Sequence, residues 1–332
     1  MRTSTLGRGD VPVTALGFGG AGIGNLYTPV RDDDAHLALD AAWDAGLRYF
    51  DTAPHYGLGL SERRIGAYLR TRPTGSYTLS TKVGRLLEPH DAGGDDSAHG
   101  FAVPATTRRV WDFSAAGMRR SIEESLGRLG LDRIDVAYLH DPDDHAEQAF
   151  GEAYPELERL RGEGLVGAIG AGMNQSAMLT RFVRDTDVDV VLCAGRYSLL
   201  DQRALKDLLP AAAERGVSVV IGGVFNSGLL ADPRQGGTFD YALAPPEVLA
   251  RARQLKDLAE RHGITLRAAA LAFPFGHPGV TSVLVGTRSA AEVADTAQQF
   301  TAKVPAAFWQ EARERRLLPA DVPVPLEQEP HA

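Results

Sequence analysis

A closed barrel of eight parallel strands wrapped by helices is the fold class this sequence predicts. Three observations point to it. Short β-branched runs alternate with longer amphipathic stretches, the rhythm of a mostly parallel sheet. Those runs number eight, the count that closes a (β/α)8 TIM barrel. The 332-residue chain shows no midpoint shift in composition, so residues 1–332 read as one barrel domain.

The elements follow in order. The opening RTSTLGRGDVPVTALGFGG supplies a short N-terminal β-hairpin turned at GRGD, then the first barrel strand, ALGFGG (15–20). LRYF (47–50), YTLSTK (77–82), IDVAYLH (134–140) and VGAIG (166–170) are strands two to five. VDVVLC (188–193), VSVVI (217–221) and TSVLVG (281–286) complete the eight. Between them, Met118, Ile122, Leu126 and Leu129 share one helical face, as do Leu205, Leu208, Leu209 and Ala212, and Val248, Ala252, Leu255 and Ala259. Two segments break the rhythm. Residues 88–109, polar and glycine-rich, read as a long mobile loop without a packed element, and 226–246 as a second long loop. Both follow strands, which places them at the C-terminal face of the barrel, where active-site and lid loops concentrate. Residues 317–332 read as a tail held at most by its leucines.

Composition excludes several classes. Apolar residues make up 44% and charged residues 23%, the balance of a globular chain. A net charge of −8 gives no support to a nucleic-acid or anionic-membrane partner. MRTSTLGRGD has no signal-peptide core and no later segment offers 18 uninterrupted apolar residues, so a cytoplasmic protein, monomeric or weakly self-associating, is expected. Cys193 is the only cysteine, which excludes an intrachain disulfide; in VDVVLCAG it reads as a buried strand residue. No zinc, EF-hand or Walker spacing occurs, and no metal is expected. GFGGAGIG (17–24) is glycine-rich but lacks the spacing and the acidic partner of a Rossmann unit.

Four chemically useful groups stand at strand ends: Asp51 after strand two, Tyr56 in the loop beyond it, Lys82 closing strand three and His140 closing strand four. Singly, each has a structural reading: a cap in DTAP, an edge aromatic, a rim charge, a cap of HDPDDH. Jointly the functional reading gains, because the C-terminal ends of barrel strands converge on one mouth and Lys82 and His140 terminate otherwise apolar runs.

FDTAPHYG with SE, STK and LHD, supported by LGFGG, GLVGAIG and VGTRS, resembles the aldo-keto reductase family along nearly the whole chain. That resemblance implies a barrel that binds a nicotinamide dinucleotide without a Rossmann fold. It implies Tyr56 as the general acid or base, Lys82 and Asp51 as the pair that eases its ionisation, and His140 as donor to the substrate oxygen. Around the substrate it places His55, Tyr56, Trp111 and His140; His55 could equally face solvent, and Trp111 could instead anchor the helix that follows. Around the dinucleotide it places Gly20, Asp51, Asn174, Arg196, Gly222, Phe225, Asn226, Gly228, Gly286, Thr287, Arg288 and Glu292. Gly172 and Met173 stand where many members have Ser-Asn, Ala194 replaces a common glutamine, Gly222 an aromatic and Thr296 an asparagine. NAD and NADP both remain open, with Arg288 tilting the balance toward NADP through its match to a 2′-phosphate. Within the family the chain looks most like the sugar 1-dehydrogenase branch, with D-threo-aldose, L-fucose and related pyridoxal 4-dehydrogenases. The expected reaction is oxidation of an aldose at C1 to the lactone. The alternatives are oxidation of pyridoxal, reduction of a small aldehyde or ketone, and a non-catalytic dinucleotide-sensing barrel.

Overall fold

In a computed structural model that describes residues 1–90, 93–240 and 242–325, the eight predicted runs close on one another in chain order. The barrel strands are β1 (Leu16–Gly19), β2 (Tyr49–Asp51), β3 (Thr78–Val83), β4 (Ile134–His140), β5 (Val166–Met173), β6 (Val190–Ala194), β7 (Ser218–Gly222) and β8 (Val280–Gly286). Every neighbouring pair is parallel, and β8 returns to β1 with Val283 opposite Leu16.

The two-residue period of a strand sorts side chains into two cores. Phe50, Leu79, Ala137, Leu139, Ile169, Val191, Cys193, Val219, Ile221 and Val283 point outward and pack under the helices. Tyr49, Val136, Tyr138, Ala168, Val190, Leu192, Val220 and Leu284 point inward and fill the barrel. Burial pushes the outward Cys193 thiol up to about 12, which leaves it inert. The hydroxyls of Tyr49 and Tyr138 meet at 2.9 Å across the interior, so neither phenol is buried without a partner. The inward parity then runs upward from Tyr49 to Asp51 and from Tyr138 to His140. Asp51, Lys82 and His140 thus take the last inward positions of β2, β3 and β4, above the buried hydroxyls of Thr78 and Ser80.

The N-terminal hairpin, Thr3–Thr5 against Pro12–Thr14, closes the opposite end by adding Leu6, Val11 and Val13 to the inner core. Its turn demands glycine: Gly7 has φ +55° and a Cβ there would stand 2.4 Å from the Asp189 carbonyl oxygen. The predicted helical faces are buried as expected. Ala115–Leu129 is capped by Ser114, which accepts from the Gly117 N–H, and ends at left-handed Gly130, with Met118, Ile122 and Leu129 inside and Leu126 at the margin. In Leu208–Arg215 and Pro246–Arg261 the inward residues are Leu208, Leu209 and Ala212, and Ala252, Leu255 and Ala259; Leu205 sits in a preceding 3-10 turn.

One expectation is corrected. Residues 88–109 do hold a packed element: Arg85–Pro89 pairs antiparallel with Thr107–Trp111, forming an arm after β3. Cross-strand chemistry explains it, since Leu86 faces Val110 and Glu88 faces Arg108. At the far end of the arm Asp96 and Phe101 are buried, although the segment looks polar in sequence; positions 91 and 92 of this predicted loop lie outside the described residues. The second predicted loop contains a two-residue ladder, Thr238–Phe239 against Ala242–Leu243, and buries Leu229 and Leu230; its position 241 is likewise outside the described residues. Leu317 and Leu318 hold the tail, joined by Val322 and Val324; the predicted tail beyond residue 325 lies outside the described residues. Among the described residues no helix is long and apolar enough to cross a membrane.

Candidate active site

Adjacent strands in register bring Asp51 beside Ser80. The Ser80 hydroxyl donates to Asp51 Oδ1 at 2.7 Å and Lys82 Nζ donates to Asp51 Oδ2 at 2.6 Å and to the Thr52 carbonyl at 3.0 Å. Asp51 and Lys82 are nearly sealed from solvent. The loop beyond β2 carries Tyr56 over this pair, with Lys82 Nζ 4.6 Å from the centre of its ring. Gly57 lets the loop sit there: it has φ +62°, and a Cβ would lie 2.1 Å from the Gly24 carbonyl oxygen. His140 stands edge-on to Tyr56, ring centres 6.1 Å apart. The four residues singled out from strand ends therefore do meet, although 89 positions separate Asp51 from His140.

Their electrostatics divide the labour. Burial raises the Tyr56 phenol above its ordinary value, and the Lys82 charge opposes that rise. For Lys82 burial works against the ammonium, but the attraction of Asp51 and then Tyr56 outweighs it, so the group remains a cation. Burial, followed by the charges of Arg85 and Lys82, holds His140 well below its ordinary range. His140 is thus a neutral imidazole; its Nε2 lies 3.7 Å from the Asp141 carboxylate and its Nδ1 is buried without a hydrogen-bond partner among the described residues. His55 is pushed down to about 2, first by burial and then by Arg85 and Arg109.

These two imidazoles make stability pH-dependent. The unfolded chain takes up a proton on each near 6.5 while the native state does not. Stability is therefore full above that value and falls as pH drops through it, by about 1.4 kcal/mol per pH unit for each imidazole. His140→Asn should flatten the slope by one proton, read as urea midpoints measured from neutral pH down to about pH 4.5.

Two cavities meet at Tyr56. The larger, about 630 Å³, is walled by His55, Lys82, His140 and Asp141 from the barrel, and by Tyr27 and the arm residues Ser97–Phe101 on the outside. The arm docks there through Tyr27 N–H to the Gly100 carbonyl at 2.7 Å and Ala102 N–H to the Asn25 carbonyl at 2.9 Å. The smaller, about 180 Å³, runs from Asp51 past Gly222, Asn226 and Gly286. Asn174, Leu192 and Ala194 border both.

Of the residues predicted around a dinucleotide, Asp51, Asn174, Gly222, Asn226 and Gly286 line the smaller cavity. The others do not. Gly20 lets β1 and β2 approach, its N–H bonded to the Asp51 carbonyl at 2.7 Å. Arg196 is turned into an ion pair with Asp240 at 2.5 Å, and Phe225 packs against the outer core. Gly228 N–H bonds the Phe225 carbonyl. Thr287 is buried, its hydroxyl without a partner among the described residues. Exposed Arg288 bonds Thr28 at 3.0 Å and pairs with Glu292 at 3.3 Å. On the substrate side His55, Tyr56 and His140 line the larger cavity, whereas Trp111 stacks on Phe113 beneath Arg85 and is not part of its lining. Four site residues went unnoticed in sequence: Arg85, Asp96, Arg109 and Asp141. Asp141 immediately follows His140, and its positive φ of 44° turns its carboxylate to Arg85. Asp96 and Arg109 lay in the segment 88–109 read as a loop, and Arg85 just before it; the alternation of RLLEP against TRRVW signals the pairing that brings them to the mouth.

The smaller cavity fits the flat ring of a nicotinamide. At Gly222 a Cβ would approach Leu192 at 3.4 Å and at Gly286 nothing nearer than 3.9 Å, so any side chain at either position would occupy the cavity that glycine leaves open. Asn174 could hold an amide at the junction.

Comparison with known proteins agrees with this geometry. The sequence profile of the Aldo/keto reductase family matches residues 15–315. A D-threo-aldose 1-dehydrogenase of Pseudomonas sp is 47% identical over 313 residues, covering 92% of this chain and 95% of that one. A pyridoxal 4-dehydrogenase of Microbacterium luteolum is 40% identical, covering 94% and 97%. Among solved structures, an aldo-keto reductase of Bacillus halodurans in its holo form superposes with a TM-score of 0.76 at 25% identity over all of both chains. Matches of this extent, on a barrel whose mouth gathers the tyrosine, lysine, aspartate and histidine, establish the chain as a member of the aldo/keto reductase family and as an NAD(P)-dependent oxidoreductase.

Proposed function

We propose that the enzyme oxidises an aldose of the L-fucose or D-threo type at its anomeric carbon, C1, to the lactone. The observation that carries this reading is the place of the Tyr56 phenol, at the junction of a glycine-floored cavity and a larger one walled by hydrogen-bonding groups. His55, His140 and Asp141 offer a hydroxylated substrate both donors and an acceptor, where an apolar aldehyde would leave them unpaired. Likeness to an aldose 1-dehydrogenase supports the same substrate class.

The chemistry a bound nicotinamide supplies is acceptance of the hydride from C1. The chain's residues do the rest. Tyr56 as phenolate takes the proton from the C1 hydroxyl while the carbon–oxygen double bond forms, and Lys82 stabilises the phenolate. Asp51, anchored by Ser80, holds Lys82 in place. Neutral His140 donates an N–H to the same oxygen without placing a second cation beside Lys82. Asn174, Gly222, Asn226 and Gly286 would hold the dinucleotide against the backbone. The pairing of Arg288 with Glu292 offsets the attraction of that arginine for a 2′-phosphate. Glu292→Gln should therefore raise kcat/KM with NADP relative to NAD by about tenfold, read in parallel initial rates with the two dinucleotides.

The reaction is tested by following reduced-nicotinamide absorbance with L-fucose, D-arabinose, L-galactose and pyridoxal, each with NAD and NADP. Turnover of pyridoxal alone would replace the aldose reading by oxidation of that aldehyde, in keeping with the second relative. Dinucleotide binding with no turnover of any of them would point to a non-catalytic barrel.

A further inference from the structure

The mouth contains an imidazole that the reaction above does not use chemically, and the arm grips it. Arg109, on the return strand of the arm, donates its Nε–H to His55 Nδ1 and an Nη2–H to the His55 carbonyl at 2.9 Å. A guanidinium has only donors, so His55 Nδ1 must offer its lone pair and the ring proton must reside on Nε2. Arg109 is itself held from behind. Asp96 accepts from its Nη1 at 2.7 Å and from its Nη2 at 2.6 Å, in a bidentate pair whose side chains are 8% and 5% exposed. His99 Nδ1 lies 3.0 Å from the same carboxylate. The ring of His55 packs edge-on to Phe101 at 5.2 Å and to His140 at 5.6 Å, and lines the larger cavity.

We propose that Arg109, fixed by Asp96, is a positioning residue that locks His55 in its Nε2–H tautomer, so that this imidazole is a permanent hydrogen-bond donor to a substrate oxygen neighbouring the reacting carbon–oxygen group. The inference rests on the reading of the larger cavity as the aldose site. Its chemistry is selective. An oxygen lone pair satisfies the donor; an aldehyde with nothing but hydrogen on the adjacent carbon leaves it unmet, and a cationic amine is repelled. Among the described residues the charged and titratable groups around His55 are Lys82, Arg85, Arg109, His99 and His140, with Asp141 in the same cavity paired to Arg85 and Asp96 paired to Arg109, so each carboxylate is already engaged by a guanidinium. The arm thereby acts as more than a wall: it sets the polarity of one contact inside the cavity.

The tautomer is read directly by nitrogen-15 NMR of the histidine rings in the full chain without substrate, the His55 signals being identified by their loss in His55→Gln. The expected result is a proton on Nε2 only, converted to a mixture of tautomers in Arg109→Met and in the charge-balanced Asp96→Asn/Arg109→Met variant, which guards against misfolding from an unpaired buried aspartate. A proton on Nδ1 in the native protein, or ring signals unmoved in both variants, overturns the proposal. Kinetically, the double variant should raise KM for a turned-over aldose about tenfold with little change in kcat, and leave KM for a small aldehyde without neighbouring oxygens unaltered. Equal effects on both substrates would overturn the contact with the substrate. Should the native enzyme turn over no aldose, the proposed reaction falls, while the ring spectrum still decides the tautomer.

Discussion

Replacing Tyr56 by phenylalanine should lower kcat for aldose oxidation by roughly two to four orders of magnitude, with dinucleotide affinity and thermal midpoint unchanged. The ring keeps its packing, since its contacts with Phe101 and His140 are made by carbon faces and edges. Only the hydroxyl is lost, and with it the group that exchanges a proton with the C1 oxygen. Histidine cannot substitute, because burial and the neighbouring cations hold His140 and His55 so far below the ordinary value that neither imidazole is basic enough to take the proton. Single-turnover rates, fluorescence titration with the dinucleotide and a melting curve separate chemistry from folding. A chemical step that ran at the native rate in the phenylalanine enzyme would sink the assignment.

Lys82→Met should act on folding and on chemistry at once. Removing the ammonium strands a buried Asp51 carboxylate with, among the described residues, the Ser80 hydroxyl as its one remaining side-chain partner, an arrangement that destabilises by about 3–5 kcal/mol. Neutralising both partners in Asp51→Asn/Lys82→Met should recover much of that loss, because no unpaired charge remains. Activity should not recover. Lys82 lowers a phenol that burial raises, so without it the rise of kcat/KM with pH that follows phenolate formation moves to higher pH in the single and the double variant alike. Urea unfolding reads the first effect and a pH–rate profile the second; a double variant as active as the native enzyme would show that the lysine is only structural.

The legible part of this protein was the part governed by period and parity. Eight short runs, six of them carrying β-branched residues, impose a parallel barrel, and the alternation of side chains along LRYFD, LSTK and VAYLH sends Asp51, Lys82 and His140 to the same side as Tyr49 and Tyr138. A polar residue at the last inward position of an apolar strand is visible in one dimension. The arm was not, because its burial is reciprocal: Asp96 and Arg109 look like solvated charges until each is seen to remove the other from water. Trp111, offered either as a wall of the pocket or as an anchor for the next helix, stacks on Phe113 beneath Arg85 and does not line the larger cavity. Of the positions expected around a dinucleotide, Gly222 and Gly286 at strand ends line the smaller cavity, whereas Arg196 and Phe225 sit in loops whose partners fix their direction.

From the sequence alone came the fold class, the four residues at the mouth and the family, since strand period and residue type are local properties that survive without coordinates. Tertiary structure alone decided that His55 faces the cavity with its Nδ1 occupied, that Arg288 is shared with Glu292, and that a polar stretch after β3 becomes a wall of the larger cavity. Those outcomes depend on which side chains meet across dozens of residues, and hydrogen bonding and charge pairing are settled by distance in space rather than along the chain.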